Sequence, residues 1–203
     1  MREFVVVGHE APTTPEFSLD DLPGAGRLDI LARCVTSAFC LSHDLREDVR
    51  VRLVLADEYV VRFEGSELRH LHPDERSAAS LIRGALAARD GAIGAMEANP
   101  SPGVYVGKGD FAGTVQDLAE SATLVELHAE GDPVADLDPP TDPAFVLSDH
   151  REFTDAEAET LAAAADHRVS VGPEALHADH AVTVAHNYLD TDGFASYGDS
   201  SRF

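Results

Sequence analysis

Apolar residues along this chain change period several times, and each change marks an element. Phe4-Val5-Val6-Val7-Gly8 is an unbroken, mostly β-branched run and predicts a first strand. From Glu10 to Gly26 the pattern disappears, and Pro12, Pro15, Pro23, Gly24 and Gly26 predict irregular chain. Helical spacing takes over from about Arg27 to Leu41, with Ile30, Leu31, Cys34, Val35, Ala38 and Leu41 on one stripe. Between Val49 and Leu55 apolar residues alternate with arginine, as in a half-exposed strand, and Tyr59 to Phe63 reads as its hairpin partner.

Further on, helices are predicted over Asp74–Ala88 and Phe111–Ser121, with a strand at Val104-Tyr105-Val106 between them. Strands follow at Thr123–His128, Ala144–Leu147 and Arg168–Val171, and a last helix runs from Ala178 to Tyr188. The helix after Ala144–Leu147 has a clear start, because Thr154 and Glu157 form the pattern of a capping box. Asp132 to Pro143 has four prolines, four aspartates and no period, which predicts a mobile, solvated surface loop. The Gly-, Ser- and Asp-rich stretch from Thr191 to Phe203 predicts a flexible tail. Alternating strands and helices predict an α/β fold with parallel neighbours, a single domain over 1–190.

Hydrophobic residues make up 44% of the 203, which supports a packed core. No apolar run approaches the roughly 20 residues that cross a bilayer, and Met1 to Gly8 lacks a leader's charged start and long apolar core, so a soluble, cytoplasmic protein is expected. Cys34 and Cys40 fall on different sides of one predicted helix and read as small buried thiols, with no Cys-x-x-Cys pair for zinc or redox work. The charge is unusual: 15 basic residues stand against 37 acidic ones, for a net −22, and Lys108 is the sole lysine. Acid spread over the whole chain fits a halophilic source, since charges are screened within about 3 Å at 1 M salt. Counterion release is weak in such brine, so an RNA partner stays open despite the acidity.

Three strands end in small, polar or flexible residues: Leu124-Val-Glu-Leu-His128 into Ala129-Glu130-Gly131, Phe145-Val-Leu-Ser-Asp-His150, and the strand leading into Ser170-Val171-Gly172-Pro173. Together they predict one ligand site at a shared sheet edge, with the N-terminus of the last helix pointing at it. Gly172 lets a ligand approach the backbone and Pro173 stiffens the turn. Asp149, His150, His177, Asp179, His180 and His186 cluster late in the chain. Their spacing matches no metal signature, so no metal site is expected, and Asp149 and Asp179 read as braces of backbone turns. Upstream, Leu22-Pro-Gly-Ala-Gly-Arg-Leu-Asp29 leads into a helix whose first turns carry Arg27, Asp29 and Arg33. Asp29 serves either the helix dipole or chemistry, and the two arginines can grip phosphate in a bidentate fork.

These motifs, with Phe17-Ser-Leu-Asp-Asp21, Leu41-Ser-His-Asp-Leu-Arg46, Leu176-His-Ala-Asp-His180 and His186-Asn-x-Leu-Asp190, resemble the archaeal TrmY family in the same order over nearly the whole chain. That family comprises tRNA pseudouridine N1-methyltransferases of the SPOUT superfamily, acting at position 54. The resemblance implies a mostly parallel sheet flanked by helices, a C-terminal trefoil knot over about 123–190, a homodimer, and S-adenosylmethionine as cofactor. It assigns the cofactor to Leu127, to Leu147 and Ser148, and to Ser170, Val171, Gly172, Pro173 and Leu176, with Ala181 nearby. Two departures stand out, for glycine is expected where Ser148 stands and some relatives carry cysteine at Ala181. Asp29 is the expected catalytic carboxylate, accepting the proton of pseudouridine N1 or orienting the base. Arg27, Arg33 and Arg46 are the expected RNA contacts. The rival readings are an rRNA pseudouridine N1-methyltransferase, a ligand-binding regulatory module without catalysis, and a metal-dependent hydrolase.

Overall fold

The computed structural model describes residues 1–92, 94 and 96–197. Among these residues one eight-stranded sheet organises the fold. Its strands are β1 (Arg2–Gly8), β2 (Val49–Leu55), β3 (Tyr59–Glu64), β4 (Ala98–Ser101), β5 (Val104–Lys108), β6 (Thr123–Pro133), β7 (Pro143–Ser148) and β8 (His167–Ser170). Their order in space is β4-β5-β3-β2-β1-β7-β6-β8. From β2 to β8 through β1, β7 and β6 the neighbours are parallel, whereas β3, β5 and β4 pair antiparallel at the other end.

Among the described residues five α-helices cover the two faces: α1 (Leu28–Phe39), α2 (Glu75–Ala87), α3 (Phe111–Ala119), α4 (Asp155–Ala164) and α5 (Ala178–Asp190). Phe4, Val6, Phe145 and Leu147 point to one face and pack with α1, α2 and α5. Val5, Val7, Ala144 and Val146 point to the other and pack with α3 and α4. Because side chains alternate across a strand, burial on both faces explains the unbroken apolar runs of β1 and β7. Helix starts are set locally. Asp74 accepts from the backbone N–H of Ser77 and Asp110 from that of Gly113, both at 2.7 Å, and Thr154 with Glu157 completes the capping box.

Several expectations need correction. The first helix begins at Leu28, because Arg27 sits outside it with φ 60°. It ends at Phe39, so Cys40 caps it in an extended conformation, and Leu41 lies beyond it and is exposed. The short β4, made of Ala98-Asn-Pro-Ser101, carries no strand pattern in the sequence. The stretch expected to be a mobile loop is partly ordered structure: β6 runs on to Pro133, a single 3-10 turn follows, and Val134 is buried. Tyr188 donates its hydroxyl hydrogen to the Leu137 carbonyl at 2.6 Å, pinning that segment to α5. Thr191 is buried and Phe194 packs against the Tyr188 ring, so the start of the expected flexible tail is folded; 198–203 lie outside the described residues.

β6 bends in an unusual way. Val125 and Leu127 pair with His167 and Val169 of β8, and after an irregular stretch Asp132 and Pro133 pair with Val169 and Ser170. The chain therefore leaves β8 and returns to it. A Cβ at Gly131 would lie 2.5 Å from the Val169 backbone, so glycine is required at this crossing. Gly131→Ala is expected to destabilise the fold by about 1–3 kcal/mol. A thermal melt in molar salt should show a fall of roughly 2–4 °C per kcal/mol for a chain of this size.

Candidate functional site

The bend of β6 after Leu127 and the carboxyl ends of β7 and β8 open side by side, where parallel sheets commonly hold ligands. An open cleft there encloses about 690 Å³, solvent included. Leu127, Leu147, Ser148, Ser170, Val171, Gly172, Leu176 and Ala181 all line it, together with Ala178 in the first turn of α5. Residues from three distant stretches, singled out in the sequence, thus meet in one place. Pro173 is the exception and is not part of the lining. Sequence reasoning missed His128, Arg151, Glu152, Phe153 and Glu174 as lining residues, and it assigned Asp149 only a bracing role. These residues follow the strand ends directly, so adjacency to the three strand-end motifs is the signal that could have found them.

The lining suits a cation with an apolar body. Leucines and alanines form the walls, and Asp149, Glu152 and Glu174 outnumber Arg151 at the polar part. A Cβ built on Gly172 would meet no protein atom closer than 3.8 Å, so the fold itself does not need glycine there. The space beside that backbone is left for something else. Ser148 Oγ is buried with no hydrogen-bond partner, a second sign that the cleft is built around a ligand.

The Asp149 side chain is fully buried and is held by His9, the residue that follows β1. The His9 backbone N–H donates to its Oδ2 at 3.0 Å, His9 Nδ1 lies 3.1 Å from its Oδ1, and His9 Nε2 lies 3.0 Å from Glu157 Oε2 on α4. Nothing local couples residues 9 and 149; the β1–β7 pairing does, with Val7 beside Ser148.

Asp29 is buried, and both of its oxygens are occupied. Arg27 donates from Nε at 3.0 Å and Nη2 at 3.1 Å, and Arg33 donates from Nη1 at 3.1 Å. Burial pushes the Asp29 carboxyl up, but the arginines, Arg27 first, outweigh it and hold it below its ordinary value. A carboxylate so engaged is a weak proton acceptor, which favours the orienting role over the basic one. Arg33 also reaches Glu75 at 3.2 Å and Asp179 of α5 at 3.5 Å, so the cluster stands beside the α5 end that lines the cleft. Arg46 is not brought to it. It pairs with Asp190 at the other end of α5, about 16 Å along the axis at 1.5 Å per residue. There Arg2 joins Asp190 at 2.7 Å, and His186 is pushed down to about 3 by burial, with Arg46 and Arg2 adding to the effect. Among the described residues no group of three or more His, Cys, Asp or Glu could hold a metal ion.

A mostly parallel sheet flanked by helices, with an open cleft at one edge of its strands and an arginine–aspartate cluster beside it, defines an α/β protein with a small-molecule site. Comparison makes this specific. A family model described as "Putative SAM-dependent RNA methyltransferase" matches residues 1–194, and the chain belongs to that family. It is 66% identical over 198 residues to a protein of Haloferax volcanii named tRNA (pseudouridine(54)-N(1))-methyltransferase, covering 97% of this chain and 100% of that one. A Natronomonas pharaonis protein of the same name is 64% identical with the same coverage. One from Methanosarcina acetivorans is 44% identical over 94% of this chain and 91% of its own. The fold is similar to the crystal structure of Archaeoglobus fulgidus Nep1 bound to S-adenosylhomocysteine, with a TM-score of 0.68 at 13% identity, covering 93% and 97% of the two chains.

The His9 bridge makes stability depend on pH. Burial pulls the His9 imidazole down, but its hydrogen bonds to Glu157 and Asp149, and their charges, outweigh this and raise it above its ordinary value. The stabilisation is therefore complete below about pH 6.5, the unfolded value, and is lost as pH rises through the higher folded value. His9→Gln should melt below wild type near pH 6, and the gap should close in alkaline buffer, as read by paired thermal melts.

Proposed function

We propose that this protein transfers the methyl group of S-adenosylmethionine to N1 of pseudouridine at position 54 of tRNA. The observation that carries this is that relatives 44–66% identical over at least 91% of both chains bear that one name. Bound in the cleft, the cofactor supplies a methyl group on a sulfonium, whose transfer depends chiefly on a nucleophile held in line. Leu127, Leu147 and Leu176 provide the apolar walls that exclude water, and the Ser170–Gly172 backbone stays accessible because Gly172 carries no side chain. The acidic lining favours a cation. Arg27 and Arg33, held in fixed geometry by Asp29, meet the phosphates flanking the target base, which has to leave its stack to reach the methyl group. Asp29 acts as a positioning residue.

The reading extends to a single domain over 1–190 with a trefoil knot between about 123 and 190. Support comes from β6, which leaves β8 at Leu127, rejoins it at Asp132 and meets its backbone closely at Gly131. A homodimer follows from the family resemblance. Brine as working medium is supported by the net charge of −22 and by the haloarchaeal relatives. Among the described residues no helix is long and apolar enough to cross a membrane, which is consistent with a cytoplasmic site of action.

Calorimetry on chelator-treated protein in molar salt should show cofactor binding without added metal. Nucleoside mass spectrometry of tRNA from a deletion strain should show loss of N1-methylpseudouridine, and an unchanged profile would remove the proposed reaction. Gly172→Ala should melt like wild type yet bind cofactor at least about tenfold more weakly, a loss of about 1.4 kcal/mol. Light scattering at molar salt should show a dimer, and melting temperature should fall as salt is removed, because the screening length grows to about 10 Å at 0.1 M.

A further inference from the structure

Among the described residues that line the cleft, three carry carboxylates, Asp149, Glu152 and Glu174, and one, Arg151, carries a permanent positive charge. An arginine placed there stands out in a chain with 15 basic residues against 37 acidic ones. It is within reach of a ligand, since its side chain is 52% exposed. It is also only partly used. Nη2 donates to Glu10 Oε1, whereas Nε and Nη1 have no partner among the described residues. Both ends of the residue are nevertheless held. Its backbone N–H donates to Asp149 Oδ1 at 2.9 Å, and His9 anchors that carboxylate from the end of β1. Glu10 follows His9 and is packed so closely that a Cβ on Gly26 would lie 1.7 Å from its carbonyl oxygen. A guanidinium steadied by one carboxylate, with donors left over, is preorganised to take a second anion at small entropic cost. Arg27 and Arg33 stand outside the lining, so phosphate contacts and the cleft draw on different arginines.

We propose that Arg151 binds the α-carboxylate of S-adenosylmethionine and so fixes the methionine end of the cofactor at the β7 side of the cleft. This rests on the cofactor reading above. The sulfonium and ammonium of that molecule are cationic, and its carboxylate is its one anion. Ligand and lining charges therefore pair off, with the acids suited to the cationic groups and the arginine to the carboxylate. The N-terminus of α5, which opens on the cleft at Ala178, is the rival seat for an anion. It offers about half an elementary charge, against a full charge and several free N–H donors at Arg151. Arg151 makes and breaks no bond. It is a positioning residue: a cofactor tethered by its carboxylate cannot turn end for end, and its methyl group is presented at one place.

The test is calorimetry on chelator-treated protein in molar salt, with S-adenosylmethionine and with its decarboxylated analogue, which keeps the sulfonium, the ammonium and the nucleoside. In Arg151→Gln the preference for the cofactor over the analogue should fall by about tenfold, the low end for a hydrogen bond to a charged group because the arginine is half-exposed. Arg151→Lys should keep part of the preference, since the charge remains and the fork does not. Arg151→Met should lose it as Gln does, and it decides the matter should Gln unfold the chain. A preference that changes by less than about twofold overturns the proposal. That holds if both ligands weaken together, as loss of the Glu10 contact alone would cause. It holds equally if RNA affinity falls instead, as a phosphate contact would cause. Failure of the cofactor reading shows earlier and separately: wild-type protein that binds neither compound removes that reading, and this proposal with it.

Discussion

The close passage of β6 over β8 at Gly131 is the constraint on which the site depends. Without a side chain at that residue the two backbones can cross at a distance that any Cβ would forbid. Because the crossing bends β6 away between Leu127 and Asp132, space opens above the strand ends instead of being filled by a straight ladder. Leu127, Leu147 and Ser170 then surround that space from three strands, and α5 starts beside it. The ordering of the segment after β6, pinned by Tyr188, belongs to the same construction.

Electrostatics separate two uses of arginine in a chain of net charge −22. Arg50, Arg52 and Arg62 face Glu3, Glu64 and Glu97 along the sheet, where alternation leaves one face half-exposed. Glu3 and Glu64 are buried, so these pairs keep two carboxylates charged beneath the half-exposed face rather than decorating the surface. Arg27 and Arg33 differ in place and exposure: Asp29 holds them beside the α5 end that lines the cleft, and they retain exposed surface of 37% and 29%. A fixed, partly exposed guanidinium pair can meet an anion at small entropic cost.

Asp29 and Asp179 show why residue type alone could not assign the chemistry. In the sequence both are aspartates in the first turn of a helix, and both carry the same dipole explanation. Only their surroundings differ: Asp29 is saturated by two arginines and its acidity is strengthened, whereas Asp179 keeps an unpaired buried oxygen. The unpartnered hydroxyl of Ser148, where glycine was expected, carries the same kind of information.

Period and punctuation alone determined much of this protein. The apolar runs of β1 and β7, the helical stripe of α1, the Thr154–Glu157 cap and the strand-end motifs at Leu127, Ser148 and Gly172 are local signals that need only neighbours a few residues away. Motif order also carried the family, since the same residues recur through the whole chain. What the sequence could not supply is long-range. The His9–Asp149 contact spans 140 residues and exists because β1 lies beside β7. The strand at Ala98–Ser101 has no apolar alternation and is ordered by its pairing with β5 and by α2 beside it. Arg46 shares residue type with Arg27 and Arg33, yet the length of α5 separates it from them. Local pattern follows from backbone sterics and burial of one face, whereas which buried groups find partners depends on how the strands are ordered in space, and only the tertiary structure decides that.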